Sequence, residues 1–422
     1  MKKLEAFIKE GVSAYNCTQY AAKDLEKHGF EELHYADEWH LKAGGRYYMK
    51  HYGASLFAFT IGKKKGRLRM AGAHTDAPCL SIKPNADFVT KGYAQVNVEV
   101  YGGPILNTWF DRPLGVAGRV ILKSKDVYHP KSVVYRSKKP LLILPNLAIH
   151  MNRDVNKGVE IKNQTDLMLI AGLLGEEGQD TAYFMDCIAN DLKVNREEIL
   201  DFELTTFIWE EAMYVGVSGE MYSAPRLDNQ TSVAALVEAI EEADCIEGMN
   251  FIGLYDHEEI GSRSKQGAAT HFTYELLQRI LEQTGYTTEE VRRYMYEMIL
   301  LSVDVAHGLH PNNIGKMDIT TQPILGNGFC IKQACSQSYA TDAEAIGIFA
   351  GLCEREGIRY QRFVNRSDVR GGGTIGAILS SLLPVKTVDL GVPLLAMHSA
   401  RELMGSSDQQ EITKAVTCFF ND

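Results

Sequence analysis

The sequence of 422 residues contains no CxxC pair. Its eight cysteines, Cys17, Cys79, Cys187, Cys245, Cys330, Cys335, Cys353 and Cys418, are scattered along the chain. That spacing excludes a thiolate zinc cluster and offers no disulfide framework. Reduced thiols in the cytoplasm are expected, most of them serving as small buried hydrophobes. Also missing is any uninterrupted apolar run long enough to span a bilayer. The opening Met1-Lys-Lys-Leu-Glu-Ala-Phe-Ile-Lys-Glu10 lacks a long apolar core, so no signal peptide is expected. Excess positive charge is lacking too: 44 Lys and Arg face 54 Asp and Glu, for a net charge of −10. Neither nucleic acid nor an anionic membrane is therefore an expected partner. No internal repeat or low-complexity tract is evident.

What is present is ordinary for a soluble globular protein, with 45% hydrophobic and 23% charged residues. The length favours two domains over one core. Residues 3–28 have helical spacing and end at Gly29. Ser55 to Ile61 reads as a buried strand, Gly62 to Gly66 as a solvated hairpin tip, and Leu68 to Ala73 as the next strand. From about residue 87 the texture becomes β-rich, with an alternating strand at 94–101, further strand pieces to 144, an acidic segment at 175–180 and another strand at 199–208. At Pro225 helices and strands begin to alternate, which predicts a mostly parallel sheet covered on both faces. The expected architecture is an α/β catalytic domain at 1–86 and 225–422, interrupted by an inserted β-rich domain at 87–224.

One stretch organises the chemistry. The apolar run Phe251-Ile-Gly-Leu254 delivers two adjacent carboxylates, Glu258 and Glu259, to a strand end. Two carboxylates there are costly to desolvate unless a cation sits with them. Four other segments deliver metal-type ligands: His74 with Asp76, Asp228, Asp304 and His398. In an open α/β sheet such residues gather at the carboxyl ends of the strands. Imidazoles with carboxylates suit zinc, with cobalt or manganese as substitutes. The count fits two metals with one bridging Asp and a bound hydroxide, leaving one Glu as a base, and Asp76 can fix the His74 tautomer. Each feature also has a bland reading. Glu-Glu can be a solvated loop pair, His-x-Asp a capping pair, Asp228-Asn229 a helix N-cap, Asp304 a turn residue and His398 a core histidine. It is the joint pattern that favours the metal.

Seven stretches, in order, resemble the M18 family of metallo-aminopeptidases, which includes the aspartyl aminopeptidases. They are Ala71-Gly-Ala-His-Thr-Asp-Ala-Pro78, Gly103-Pro-Ile-Leu-Asn-Thr-Trp-Phe-Asp-Arg-Pro-Leu-Gly115, Ala148-Ile-His-Met-Asn-Arg153, Pro225-Arg-Leu-Asp-Asn229, Asp256-His-Glu-Glu-Ile-Gly-Ser262, Ser302-Val-Asp-Val-Ala-His307 and Leu395-Ala-Met-His-Ser-Ala-Arg-Glu402. The resemblance implies a dinuclear zinc aminopeptidase acting on peptides with a free N-terminus. It implies that His74 and Asp304 bind one metal, Glu259 and His398 the other, and that Asp228 bridges. Glu258 becomes the general base and Asp76 the residue that orients His74. His150 would reach a neighbouring subunit's active site, within a tetrahedral dodecamer built from dimers. Lys332, Tyr339 and Gly373 are expected at the substrate pocket, where Lys332 can meet an acidic P1 side chain. The sequence departs from acid-selective members there: Ser338 stands where an Arg is usual, and Arg366 to Thr374 replaces a Pro-Cys-Gly-Ser-like segment. Acidic and neutral P1 preferences both stay open, as do a related dimetal amidohydrolase and a non-catalytic assembly shell. Gly371-Gly-Gly373 lacks the Lys-Ser/Thr ending of a phosphate loop and reads as a tight turn.

Overall fold

The computed structural model describes residues 1–174, 182–369 and 371–422. The acidic segment at 175–180 lies outside the described residues, and so does Arg370. The chain divides into two compact units. The first comprises Met1–Asp76, Ala212–Met397 and Glu402–Asp422; the second comprises Ala77–Glu211 and His398–Arg401.

In the first unit a nine-stranded sheet has the order Glu31–Glu32, Arg46–His51, Ser55–Ile61, Glu247–Tyr255, Lys64–His74, Ile299–Val303, Lys386–Gly391, Phe329–Gln333 and Tyr360–Val364. Its centre is parallel, from Glu247–Tyr255 through Lys64–His74 and Ile299–Val303 to Lys386–Gly391. Antiparallel pairs lie to either side. Successive side chains of a strand point to opposite faces, and here both faces are buried. Ala71, Ile252, Leu254, Leu301 and Val303 pack into one layer with Leu227–Glu242 and Ala343–Glu356. Met70, Met249, Phe251 and Leu300 pack into the other with Phe272–Gln283 and Ile375–Leu382. Strands buried on both faces read as near-continuous apolar runs, and truncating one such leucine to alanine costs about 2–5 kcal/mol.

Three local readings are corrected by this unit. The helical pattern at 3–28 is two helices, Lys2–Glu10 and Ala14–Lys27, because Ser13 turns extended and its side chain accepts from the Asn16 amide as an N-cap. The hairpin expected at Gly62–Gly66 does not form. Glu247–Tyr255 inserts between Ser55–Ile61 and Lys64–His74, antiparallel to the first and parallel to the second. The strand expected to run into His398 stops at Leu395, and left-handed backbone at Ala396 and His398 turns the chain.

The second unit is a seven-stranded sheet, antiparallel throughout its ladders. Ile199–Ile208 pairs with both Cys79–Thr90 and Pro113–Leu122, so the ladder closes on itself. Closure leaves Lys131–Arg136, which pairs only with Pro113–Leu122 among the described strands, as the outer strand, and encloses a core that includes Val96, Leu114, Val116, Leu169 and Leu204. Cys79–Thr90 belongs here because it pairs with Tyr93–Tyr101.

Candidate metal centre

The parallel centre of the first unit positions the chemistry. Lys64–His74 ends on His74, and Ile299–Val303 leads directly to Asp304. Glu247–Tyr255 leads through His257, in left-handed backbone, to the short turn Glu258–Ile260. Asp228 opens the helix Leu227–Glu242 with non-helical dihedrals, and its peptide to Asn229 is cis. Four elements thus bring their ligand-type residues to one end of one sheet.

The distances are short. His74 Nε2 lies 3.2 Å from Asp228 Oδ1 and 3.6 Å from Asp304 Oδ1. Ligand atoms of His74, Asp228 and Asp304 all fall within 4.8 Å of one another, and so do those of His74, Glu258 and Glu259. His74, Asp76, Asp228 and Asp304 are buried.

Nδ1 of His74 faces the Asp76 main-chain carbonyl at 3.1 Å. A carbonyl only accepts, so Nδ1 is the donor and Nε2 carries the lone pair. That lone pair points at two carboxylate oxygens. Three electron-rich atoms so arranged call for a cation, and ligand atoms on a tetrahedral zinc with bonds of about 2.0–2.1 Å stand roughly 3.3 Å apart. The donor set and its spacing therefore fit zinc.

The electrostatics agree. Burial lowers the His74 pKa, but Asp228, Asp304 and Asp76 overcome it and hold the imidazole well above its usual value, so these carboxylates favour a positive charge at Nε2, whether a proton or a metal ion that takes the proton's place. Burial pushes the Glu258 carboxyl up to about 7, and the carboxylates of Asp304, Asp76 and Asp228 push the same way while His74 opposes. Such a value suits a proton acceptor working near neutrality.

Supporting contacts fix these groups. The Asp76 carboxylate accepts the Glu258 amide through Oδ1 and the Glu259 amide through Oδ2, each at 3.1 Å. Sequence reasoning gave that carboxylate to His74. Oδ1 does lie 3.4 Å from Nδ1, yet the shorter contact to the ring is made by the Asp76 carbonyl. Two further residues carried no sequence-based role. Glu402 Oε2 accepts the Asp228 amide at 3.0 Å, and Asn229 Nδ2 donates to the Val303 carbonyl at 3.1 Å. Their sequence signal was adjacency alone: Asn229 follows Asp228, and Glu402 closes the motif that holds His398.

Other sequence-predicted residues are placed as follows. Lys332 is 1% exposed; its Nζ donates to the Val305 carbonyl at 2.9 Å and lies 3.7 Å from Asp304 Oδ2. Burial opposes both charges, but their attraction prevails, lowering the Asp304 pKa and raising that of Lys332. Lys332 Nζ also stands 5.0 Å from the centre of the buried Tyr339 ring. Gly373 lies exposed in an irregular segment before Ile375–Leu382, with the Ser338 carbonyl beside it. In the second unit His398 Nδ1 donates to the Gly103 carbonyl at 3.0 Å, while the Ile105 amide donates to the His398 carbonyl at 2.8 Å. That tautomer leaves the His398 lone pair on Nε2. Also in the second unit, His150 sits in an exposed turn.

The family model for aminopeptidase I zinc metalloproteases (M18) matches residues 7–420. A probable M18 family aminopeptidase 2 of Clostridium acetobutylicum is 40% identical over 425 residues, spanning 100% of this chain and 98% of that protein. One of Clostridium novyi is 40% identical over 419 residues, spanning 98% and 97%. Among solved structures, a chain of the Ape4 and Nbr1 complex superposes with a TM-score of 0.94 at 32% identity, over 99% of this chain and 85% of that one. A chain of the S. cerevisiae mApe1 dodecamer gives 0.85 at 26% identity, over 99% and 95%.

Proposed function

The chain belongs to the M18 family of zinc aminopeptidases, and on that premise we propose how its residues divide the work of removing N-terminal residues from peptides. The reading is a dinuclear zinc site in which His74 and Asp304 hold one ion, Glu259 and His398 the other, and Asp228 bridges. The observation that carries it is the convergence of buried His74, Asp228 and Asp304 with half-buried Glu258 and Glu259. The Gly103 contact that sets the His398 tautomer supports the assignment of its Nε2.

When bound, the zinc ions supply Lewis-acid polarisation of the scissile carbonyl and make water more acidic. Glu258 accepts the proton of the attacking water and returns it to the departing amine. Burial lifts its pKa above the ordinary carboxylate value while bound cations oppose that rise, which leaves it a carboxylate able to take and return a proton near neutral pH. Asp76 holds the main chain of Glu258 and Glu259, and its carbonyl fixes the His74 ring. Lys332 balances the charge of Asp304. Tyr339 and Gly373 are assigned to the wall of the substrate pocket.

A homo-oligomer completes this reading. The mApe1 relative is a dodecamer by its description, and the exposed His150 turn is assigned to a neighbouring protomer's site within a similar assembly built from dimers. The cytoplasm is the proposed compartment, supported by the free state of all eight cysteines. Among the described residues no helix is long and apolar enough to cross a membrane.

The test is a panel of leucyl, lysyl and aspartyl anilides, each with a free or an acetylated amine, given to the zinc-loaded protein. Free-amine substrates turn over and acetylated ones do not. Equal rates on both would overturn the aminopeptidase assignment.

A further inference from the structure

The strand that ends on His74 carries Arg67 and Arg69 near its other end. Five residues at about 3.3 Å each put Arg69 roughly 16 Å from His74 along the strand. There, away from the metal cluster, lies a cavity of about 220 Å³ lined by Arg67, Arg69, Arg355 and Asp422 on an apolar wall that includes Phe349 and Leu352.

Among the side chains that line this cavity, three guanidinium groups face one carboxylate, that of Asp422. The Asp422 carboxylate accepts from Arg67 Nη1 at 3.2 Å and from Arg355 Nη2 at 2.6 Å. Arg355 Nε also donates to Glu356 at 2.9 Å. The nearby Glu247 is engaged by Lys64 at 3.0 Å. Arg69 is left over. It is 4% exposed, and among the described residues its one hydrogen bond is a long 3.4 Å contact to the Arg67 carbonyl and its buried Nε has no acceptor. Burial presses the Arg69 pKa downward and Arg67 adds to the effect, while Asp422 and Glu247 offset them only in part. A buried guanidinium with so little counter-charge is costly, and a second anion inside the cavity would remove that cost.

We propose that this cavity is an anion site, in which Arg69, with Arg67 and Arg355 at its sides, takes a phosphate or carboxylate head while the Phe349 and Leu352 wall takes a short apolar body. The guanidinium fork matches either oxyanion in bidentate fashion. The Asp422 side chain is engaged by Arg67 and Arg355, and among the described residues it makes no hydrogen bond with Arg69.

The experiment uses the full zinc-loaded protein, with inorganic phosphate and 4-methylpentanoate as separate probes at constant ionic strength set by chloride. Calorimetric titration gives Kd and thermal unfolding gives Tm. At least one probe is expected to raise Tm above the chloride control; which of them does so identifies the head group. Loss of a hydrogen bond to a charged group is worth about 1.5–3 kcal/mol, so Arg69→Met is expected to weaken binding roughly 10- to 100-fold. Phosphate bound at the zinc ions would survive that change, which separates the two sites. If Arg69→Met fails to fold, the more exposed Arg355→Met decides, with weaker binding and unchanged anilide hydrolysis. No Tm rise with either probe, or undiminished binding in every folded variant, would overturn the site.

Discussion

The Asp76 carboxylate accepts the main-chain N–H of Glu258 at 3.1 Å through Oδ1, so the proposed base is held by its backbone and not by its side chain. The same carboxylate holds the Glu259 amide through Oδ2. One residue thereby spaces the proposed base and a proposed ligand through their main-chain amides.

Asp76→Asn removes one of those two acceptors, since an amide has a single carbonyl oxygen. Outer residues of this kind are worth about 10–100-fold in activity or metal affinity. The variant is expected to lose that much in kcat/KM, measured with a leucyl anilide, and to fold normally by circular dichroism. Unchanged kcat/KM would release Asp76 from the positioning role.

The acid limb of the pH profile follows from Glu258. A base acts as the carboxylate, so kcat/KM rises with pH through its pKa and levels off above it. Burial, helped by the carboxylates of Asp304, Asp76 and Asp228, lifts that pKa from 4.5 to about 7, and bound cations draw it back toward 4.5. The midpoint is expected between those limits. A profile flat down through pH 4 contradicts the assignment.

Three of the candidate residues were legible because each closes or follows an apolar segment: His74 after Leu68 to Ala73, Glu258 after Phe251 to Leu254, Asp304 after Ile299 to Val303. Apolar runs mark strands buried on both faces, and a polar residue at such a strand end is visible without coordinates. Non-local pairing was not legible. Nothing in Gly62 to Gly66 announces that Glu247–Tyr255 separates the flanking strands. Nothing in Ile199–Ile208 announces that it closes a ladder with both Cys79–Thr90 and Pro113–Leu122. The grip of Asp76 on two amides and of Glu402 on a third depends on main-chain geometry, which composition and spacing do not encode.

Glu402 supports Asp228 through the amide hydrogen bond at 3.0 Å. Glu402→Ala leaves that buried N–H without this acceptor, at a cost of about 1–3 kcal/mol. Chemical denaturation is expected to show the loss, and Glu402→Gln, which keeps a carbonyl oxygen, is expected to recover part of it. Equal stability of wild type and Glu402→Ala contradicts the contact's role.

Lys332 distinguishes two readings of specificity. Its Nζ is placed against Asp304 and the Val305 carbonyl, so Lys332→Met is expected to lower kcat/KM for leucyl and aspartyl anilides by the same factor. Removing one member of a buried pair also costs about 3–5 kcal/mol of stability, which thermal unfolding reads. Loss confined to the aspartyl substrate would instead assign Lys332 to the P1 side chain.

If Glu258 moves the proton while its neighbours hold the metal, Glu258→Gln separates the two roles when zinc per protomer and turnover are measured on the same sample. The expected result is zinc content equal to wild type with kcat reduced by about 10²–10⁴-fold. Wild-type turnover in that variant would contradict the account.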